Sequence, residues 1–288
     1  MKIIQSLWSK PLSKNGGWNE KIFYYMSWTL SCLKLKEFYK PIELYTDEKG
    51  KELLIDILQL PYDKVHVVLD ELNEFSPQLW ALGKVYTYSL QKEPFLHVDG
   101  DIFIWSKFPE RIENAQLIAQ HKEENYEYHK LSVQKLTADG FYFKKELNPQ
   151  KETEINEVNA GLLGGNNIDF FTKYTKAVFD FVKNNKTQIK LLEGMGITYV
   201  NTIFEQYFFY KLAQNNKIDI EYLFTNKISQ YFSEFVKFAS LPYINTYIHT
   251  IAFYKKVFSV GANVAHLLWY EYPDYYYRIL KIIENEKK

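Results

Sequence analysis

The sequence predicts an α/β fold with a Rossmann-like mixed sheet, helices on both faces and an elaborated C-terminal half. Three observations carry this. Short apolar, β-rich runs alternate with longer stretches of helical periodicity through the first 105 residues. That β-α-β-α-β-α-β order demands a mostly parallel sheet, because parallel neighbours need crossover helices. Residues 106–288 lose the regular alternation but contain neither a repeat nor a low-complexity linker, so they extend the same domain rather than starting another.

Residues 2–7 read as the first strand and 19–38 as a long helix, with apolar residues recurring every three or four positions. Residues 41–47 form a strand ending in a turn, 48–58 a helix and 64–70 a third strand. Residues 77–91 form a helix with Pro77 in its first turn, and 94–98 a fourth strand. Beyond it, 115–121 reads as a strand, and 122–154 as a polar excursion holding a short strand at "GFYF". Residues 157–165 are a strand ending in glycines, 169–183 and 202–214 are helices, 242–255 is β-rich, and 273–286 is a closing amphipathic helix.

Composition narrows the function classes. Acidic and basic side chains balance at 35 each, which argues against broad capture of nucleic acid. A single cysteine, Cys32, excludes an internal disulfide and suits a reducing, cytoplasmic setting. The N-terminal apolar run is too short for a signal peptide, and no run reaches the length of a membrane span, which leaves peripheral membrane association open. Aromatic residues make up 18%, enough for a thick aromatic core, a sugar-stacking cleft, or both.

The stretch that carries chemistry is "FLHVDGDIFIW", residues 95–105. It is a buried-strand pattern interrupted by Asp99 and Asp101 at the carboxyl end of the fourth strand, where ligands sit in parallel α/β sheets. On an extended chain two such residues point the same way about 6.6 Å apart, and repel by roughly 2.5 kcal/mol at an effective dielectric near 20. A hard divalent cation, Mg²⁺ or Mn²⁺, removes that cost and keeps positions open for phosphate oxygens. Gly100 suits a point where backbone or ligand passes close.

With these residues in view, the chain resembles the GT-A-fold glycosyltransferases, closest to the glycogenin-like family-eight branch. "FLHVDGDIFIW" is similar to their D-x-D segment, "LWALGKVYTYSL" supplies Lys84 where they carry a donor-facing lysine, and "VNAGLLGG" supplies Asn159, Ala160 and Gly161. "TIFEQYFF" supplies Glu205 and Gln206 in place of their Asp-Gln pair. "IHTIAFYKK" supplies His249 and Lys255 of an H-x-x-G-x-x-K pattern in which Ala252 replaces the glycine. If that glycine needs positive φ, alanine is strained there. The resemblance runs in order from residue 2 to about 256.

It implies a metal-dependent transferase with a nucleotide-binding half over 1–105 and an acceptor and sugar half over 106–288. Asp99, Asp101 and His249 would be metal ligands; Lys84, Lys255, Asp47 and Gly161 would bind the donor; Glu205, Gln206 and Asn159 would be catalytic. The donor would be a nucleotide sugar, UDP-linked, and the acceptor a glycan, a lipid-linked group or a protein. Retention of the anomeric configuration is implied, although inversion needs only a carboxylate base such as Glu205 or one within 122–154.

Each residue also has a structural reading. Asp47 suits a helix N-cap, Glu205 a solvated first-turn glutamate, Lys84 a solvated lysine, Asn159–Gly161 a plain turn, and His249 a core histidine. Two other functions compete: a degenerate GT-A domain acting as a sugar-nucleotide-binding scaffold, and a D-x-D phosphatase. The phosphatase is disfavoured because Phe103 stands where its motif carries Thr or Val, and because the motif comes fourth among the strands.

Overall fold

The computed structural model describes residues 1–11, 15–193 and 196–286. The chain is α/β with a mixed sheet, and it divides into two compact units. One comprises residues 2–68, 98–107 and 231–288; the other comprises residue 1, 69–97 and 108–230.

In the first unit, Lys2–Leu7, Ile42–Thr46 and Lys64–Val67 are parallel strands, with Ile3 opposite Ile42 and Glu43 opposite Lys64. Ile3, Ile4, Ile42 and Leu44 have almost no solvent access, as expected when both faces of a parallel sheet are covered. The connecting helix, Lys21–Phe38, is buried without a break from Phe23 to Leu35. A helix closed on every side belongs in a core, not at its edge. Gln5, buried inside this core, has partners: its Nε2 donates to Ser31 Oγ (3.0 Å) and to the Val98 carbonyl (3.2 Å), and its Oε1 accepts from Tyr62 Oη (2.7 Å). The helix expected over 48–58 is present, but relaxes from α (Glu48–Lys51) to π geometry (Glu52–Ile57). The strand expected over 64–70 stops at Val67. The β-rich stretch expected over 242–255 contracts to Tyr247–His249, which pairs antiparallel with Ile102–Ile104. Helices Phe258–Glu271 and Pro273–Glu286 pack on Lys21–Phe38. Gly261 permits this, since a Cβ there would lie 2.4 Å from the Phe23 ring.

In the second unit, Leu117–Ala119 runs parallel to Ile220–Tyr222 and antiparallel to Leu162–Gly165, which makes the sheet mixed. The expected strand over 157–165 is two strands, Asn156–Val158 and Leu162–Gly165, because the chain turns at Asn159–Gly161. Asn156–Val158 pairs with Lys122–Glu124 instead. Glycine is required at 164, where a Cβ would lie 2.2 Å from the Phe95 carbonyl oxygen. The core is aromatic: Tyr88, Phe95, Phe170, Phe171, Tyr174 and Phe209 pack with ring centroids 4.7–6.5 Å apart, so much of the aromatic content serves packing. The helix expected over 77–91 is shorter, Leu82–Ser89. The one expected over 202–214 is longer, a continuous helical run from Tyr199 to Asn216 with a π turn at Ile203–Tyr207.

The polar excursion holds a helix, Glu127–Ala138, that the sequence reading lacks. "GFYF" is not a strand. Phe141 and Phe143 point inward on Phe181, as alternation implies, but the backbone partner is a side chain. Asn185 Oδ1 accepts from the Tyr142 N–H (2.6 Å), and its Nδ2 donates to the Tyr142 carbonyl (2.9 Å). Asn185 is fully buried, so Asn185→Ala removes both bonds and leaves a cavity in their place. We expect a loss of about 2 kcal/mol in urea unfolding with the denaturant slope unchanged.

Candidate metal centre

Strand Phe95–Val98 ends one residue before Asp99. The chain then turns: the Ile102 N–H donates to the Asp99 carbonyl (3.1 Å) across Gly100 and Asp101. The two aspartates therefore do not stand side by side on an extended strand, as their spacing alone implies. A tight turn folds them toward each other, and Ile102 opens a new strand in a separate two-stranded ribbon. Gln5 and Ser31 hold the turn through the Asp99 carbonyl, both at 3.4 Å, and Ser27 Oγ donates to the Gly100 carbonyl (2.9 Å). The Trp28 indole lies on Gly100 so closely that a Cβ would meet it at 2.6 Å. The close approach at Gly100, expected from backbone or ligand, is made instead by a side chain, Trp28.

The ribbon brings His249 to this turn. His249 pairs with Ile102, and the next residue, Thr250, extends the ladder by donating its N–H (3.0 Å) and Oγ1 (3.2 Å) to the Asp101 carbonyl. His249 Nε2 comes to 3.6 Å from Asp101 Oδ2. Lys255 arrives from the short helix Ala252–Lys256, its carbonyl held by the Asn19 N–H (3.1 Å), its Nζ 2.7 Å from Asp101 Oδ2. Burial alone would raise the Asp101 pKa; the charges of Lys255 and His249 override it and hold the carboxyl well below the usual carboxylate range. Ala252 has φ +52°, so the position where the resembling pattern has glycine is in the left-handed region and alanine bears the strain.

Asp99, Asp101 and His249 each offer one donor atom, all within 4.8 Å of one another. Ligands around a Mg²⁺-sized ion at about 2.1 Å stand roughly 3–4.2 Å apart, so small side-chain rotations close the set. Two carboxylate oxygens and one imidazole nitrogen suit Mg²⁺ or Mn²⁺. Asp101 and His249 are buried and Asp99 is half-buried, which leaves an approach from the Asp99 side.

The other expected site residues take these places. Asp47 is the N-cap of Glu48–Lys51. Its Oδ1 accepts from the Gly50 N–H (2.8 Å), and its Oδ2 accepts from the Ser9 N–H (2.8 Å) and Oγ (2.7 Å). In the second unit, Lys84, Asn159, Ala160, Gly161 and Glu205 gather into one group. Lys84 is buried, not solvated; its Nζ lies 2.6 Å from Glu205 Oε1 and donates to the Ala160 carbonyl (2.9 Å). Glu205 is fully enclosed in the π turn, well inside its helix, so it is not a solvated first-turn residue. Asn159 Oδ1 accepts from the Gly161 N–H (3.1 Å). Gln206 lies beside Glu205, with its Oε1 buried and without a hydrogen-bond partner.

Sequence reasoning missed three residues of this group: Glu123, His129 and Glu157. Glu123 Oε1 accepts from Asn159 Nδ2 (2.7 Å). His129 lies between the two glutamates, Nε2 2.5 Å from Glu123 Oε2 and Nδ1 3.1 Å from Glu157 Oε2. Burial disfavours charge on His129, but Glu157 and Glu123 override it and raise its pKa to about 9. Burial pushes Glu157 up to about 8. The signal lay in the period-2 placement of His121 and Glu123, and of Glu157 and Asn159.

A model of a family of unknown function, DUF6734, matches residues 1–282. No curated protein matches the sequence.

Two outcomes follow from this geometry. Glycine carries no left-handed penalty, so Ala252→Gly should stabilise the chain by about 0.5–1 kcal/mol in urea unfolding, after its extra unfolded-state entropy. Glu157 and His129 both hold protons in the fold that the unfolded chain releases near pH 4.5 and 6.5. Their contribution is complete below those values and is lost as pH rises through about 8 and 9. The thermal midpoint should therefore fall from pH 6 to pH 9, and Glu157→Gln should flatten the fall.

Proposed function

The chain belongs to the DUF6734 family, and we propose that it is a metal-dependent glycosyltransferase of GT-A-like fold. It takes a nucleotide-diphosphate sugar, UDP-linked by the resemblance of its motifs, to a glycan, lipid-linked or protein acceptor in a cytoplasmic or membrane-peripheral setting. Among the described residues no helix is long and apolar enough to cross a membrane. One observation carries the reading: two carboxylates and an imidazole converge beside a lysine at the turn that ends an apolar strand.

Asp99, Asp101 and His249 would hold a cation, whose positive charge would stabilise a diphosphate leaving group. The chain's own residues do the rest. Lys255 carries a point charge on a flexible stem, suited to a phosphate oxygen. Trp28 and Gly100 set the shape of the turn, and Ser27, Ser31 and Gln5 keep its carbonyls from moving. The resemblance assigns Asn159, Glu205 and Gln206 to the sugar and favours retention. Glu205 is enclosed with Lys84, so in this reading it acts by fixing that lysine's charge.

The test is thermal melting with UDP, GDP or CMP, each with and without Mn²⁺. UDP should raise the midpoint only with Mn²⁺. Asp101→Asn should remove the effect while the circular dichroism stays native, weakening metal-dependent UDP binding by about 100-fold or more. If no nucleotide stabilises the protein in a metal-dependent way, the proposal fails. Binding without release of sugar from any UDP-sugar would identify a sugar-nucleotide-binding scaffold instead.

A further inference from the structure

Lys255 lies at an oxygen that a cation would use. Its Nζ is 2.7 Å from Asp101 Oδ2, nearer than His249 Nε2 at 3.6 Å. Asp101 is also one of the three residues whose donor atoms converge at this turn. The centre therefore carries a positive charge of its own, set against one of its three donor residues. Nζ in this position would stand within two bond lengths of a divalent ion on the same oxygen. Like charges that close in a mostly enclosed site repel strongly.

The surroundings let the lysine, and not the aspartate, give way. Asp101, Lys255 and the residues that hold them belong to one compact unit. The Asp101 carbonyl is held by the Thr250 N–H and hydroxyl. The Lys255 carbonyl is held by the Asn19 N–H (3.1 Å), so the backbone is tied on both sides. The Lys255 stem runs past Gly17, where a Cβ would come to 3.4 Å from Cδ. Helix Ala252–Lys256 buries none of its residues, and the Lys255 side chain is 23% exposed against 9% for Asp101. Rotation about a flexible four-carbon stem is enough to carry Nζ off Oδ2 toward solvent. An ammonium is a point charge without the bidentate grip of a guanidinium, so it leaves a carboxylate more readily.

We propose that Lys255 is the built-in counter-ion of this centre: it occupies Asp101 Oδ2 until a divalent cation binds, then leaves that oxygen and offers its charge to an anion on the cation. The cation rests on the proposed function, whose centre this is; the exchange at Asp101 needs no nucleotide. Releasing the lysine costs cation affinity, and the freed charge returns it as anion affinity. Each ligand then strengthens the other by the same factor. A purely structural ion pair would do the opposite: its loss would loosen the centre and weaken cation binding.

The first measurement is Mn²⁺ binding by the full chain, read from the free-ion electron paramagnetic resonance signal, without and with UDP. Wild type is compared with Lys255→Met, and Asp101→Asn sets the level of binding elsewhere on the surface. Without nucleotide, Lys255→Met should bind Mn²⁺ about 10-fold more tightly than wild type, an ordinary size for coupling between ligands. Saturating UDP should cancel or reverse that gain, because the variant lacks the charge that meets the anion. Unchanged or weaker Mn²⁺ binding by folded Lys255→Met overturns the exchange.

A lysine that merely stayed nearby would also weaken cation binding, so its movement is read in wild type. The ammonium signal of Lys255 in the ¹⁵N-lysine-labelled chain is assigned by its loss in Lys255→Arg. It should be protected from exchange with water without metal, lose that protection at Mg²⁺ levels that displace Mn²⁺, and regain it with UDP. A signal that keeps its shift and protection through the Mg²⁺ titration overturns the release, and it decides the matter if Lys255→Met does not fold. Release by Mg²⁺ with no response to UDP keeps the exchange and counts against the proposed nucleotide. Metal-dependent UDP binding by a chain whose Lys255 signal never moves keeps the proposed function and overturns the exchange. No Mn²⁺ bound above the Asp101→Asn level by wild type or Lys255→Met overturns both.

Discussion

Asp101 is a carboxylate with 6% of its surface exposed, placed where an apolar strand turns into a second apolar strand. A charge so enclosed must meet opposite charge or strong donors, because its desolvation is otherwise far too costly. The unit around it answers that demand. Thr250 ties the ribbon to the Asp101 backbone, His249 is carried in on that ribbon, and Lys255 reaches Oδ2 from the short helix that follows. Gly100 gives Trp28 the room to close the turn from the other side. The convergence of Asp99 and His249 accompanies the satisfying of Asp101, and three donor atoms within 4.8 Å of one another come with it.

The buried acids of the second unit obey the same rule with a different outcome. Glu123, Glu157 and Glu205 lie against His129, Lys84 and the Asn159 amide. These groups are enclosed together in the fold. Asp99, half-buried beside Asp101 and His249, is different: its cluster is the one among the described residues with the spacing of a cation site. Enclosure thus separates a cluster spaced for a cation from one closed within the fold, even though both are built from carboxylates and imidazoles.

Much of this was legible in the residues. Lys2–Leu7 and Pro273–Glu286 fall where periodicity places them, because each carries a strong local pattern. The D-x-D was visible as charge set into a core strand, and Asp47 as an N-cap by its place before a helix. The geometry linking Asp99 to Asp101 was not, since an extended chain and a tight turn share the same letters there. Nor was the pairing of Tyr247–His249 with Ile102–Ile104: antiparallel partners so far apart in sequence leave no local signal. "GFYF" had the alternation of a strand, but its partner is the Asn185 side chain. Helix Glu127–Ala138 buries only His129, Ser132, Val133 and Leu136, too little apolar surface to show as a stripe. The acids of the second cluster lie in or beside that polar stretch, where charge reads as solvated.

The proposed function requires that Asp99, Asp101 and His249 hold a cation to which a diphosphate binds. Pulsed electron paramagnetic resonance of the Mn²⁺-loaded protein with UDP tests it directly. A ¹⁴N coupling that disappears in His249→Ala is expected together with ³¹P couplings from the diphosphate on the same manganese ion. Manganese that shows neither the histidine nitrogen nor phosphorus at saturating UDP would contradict it.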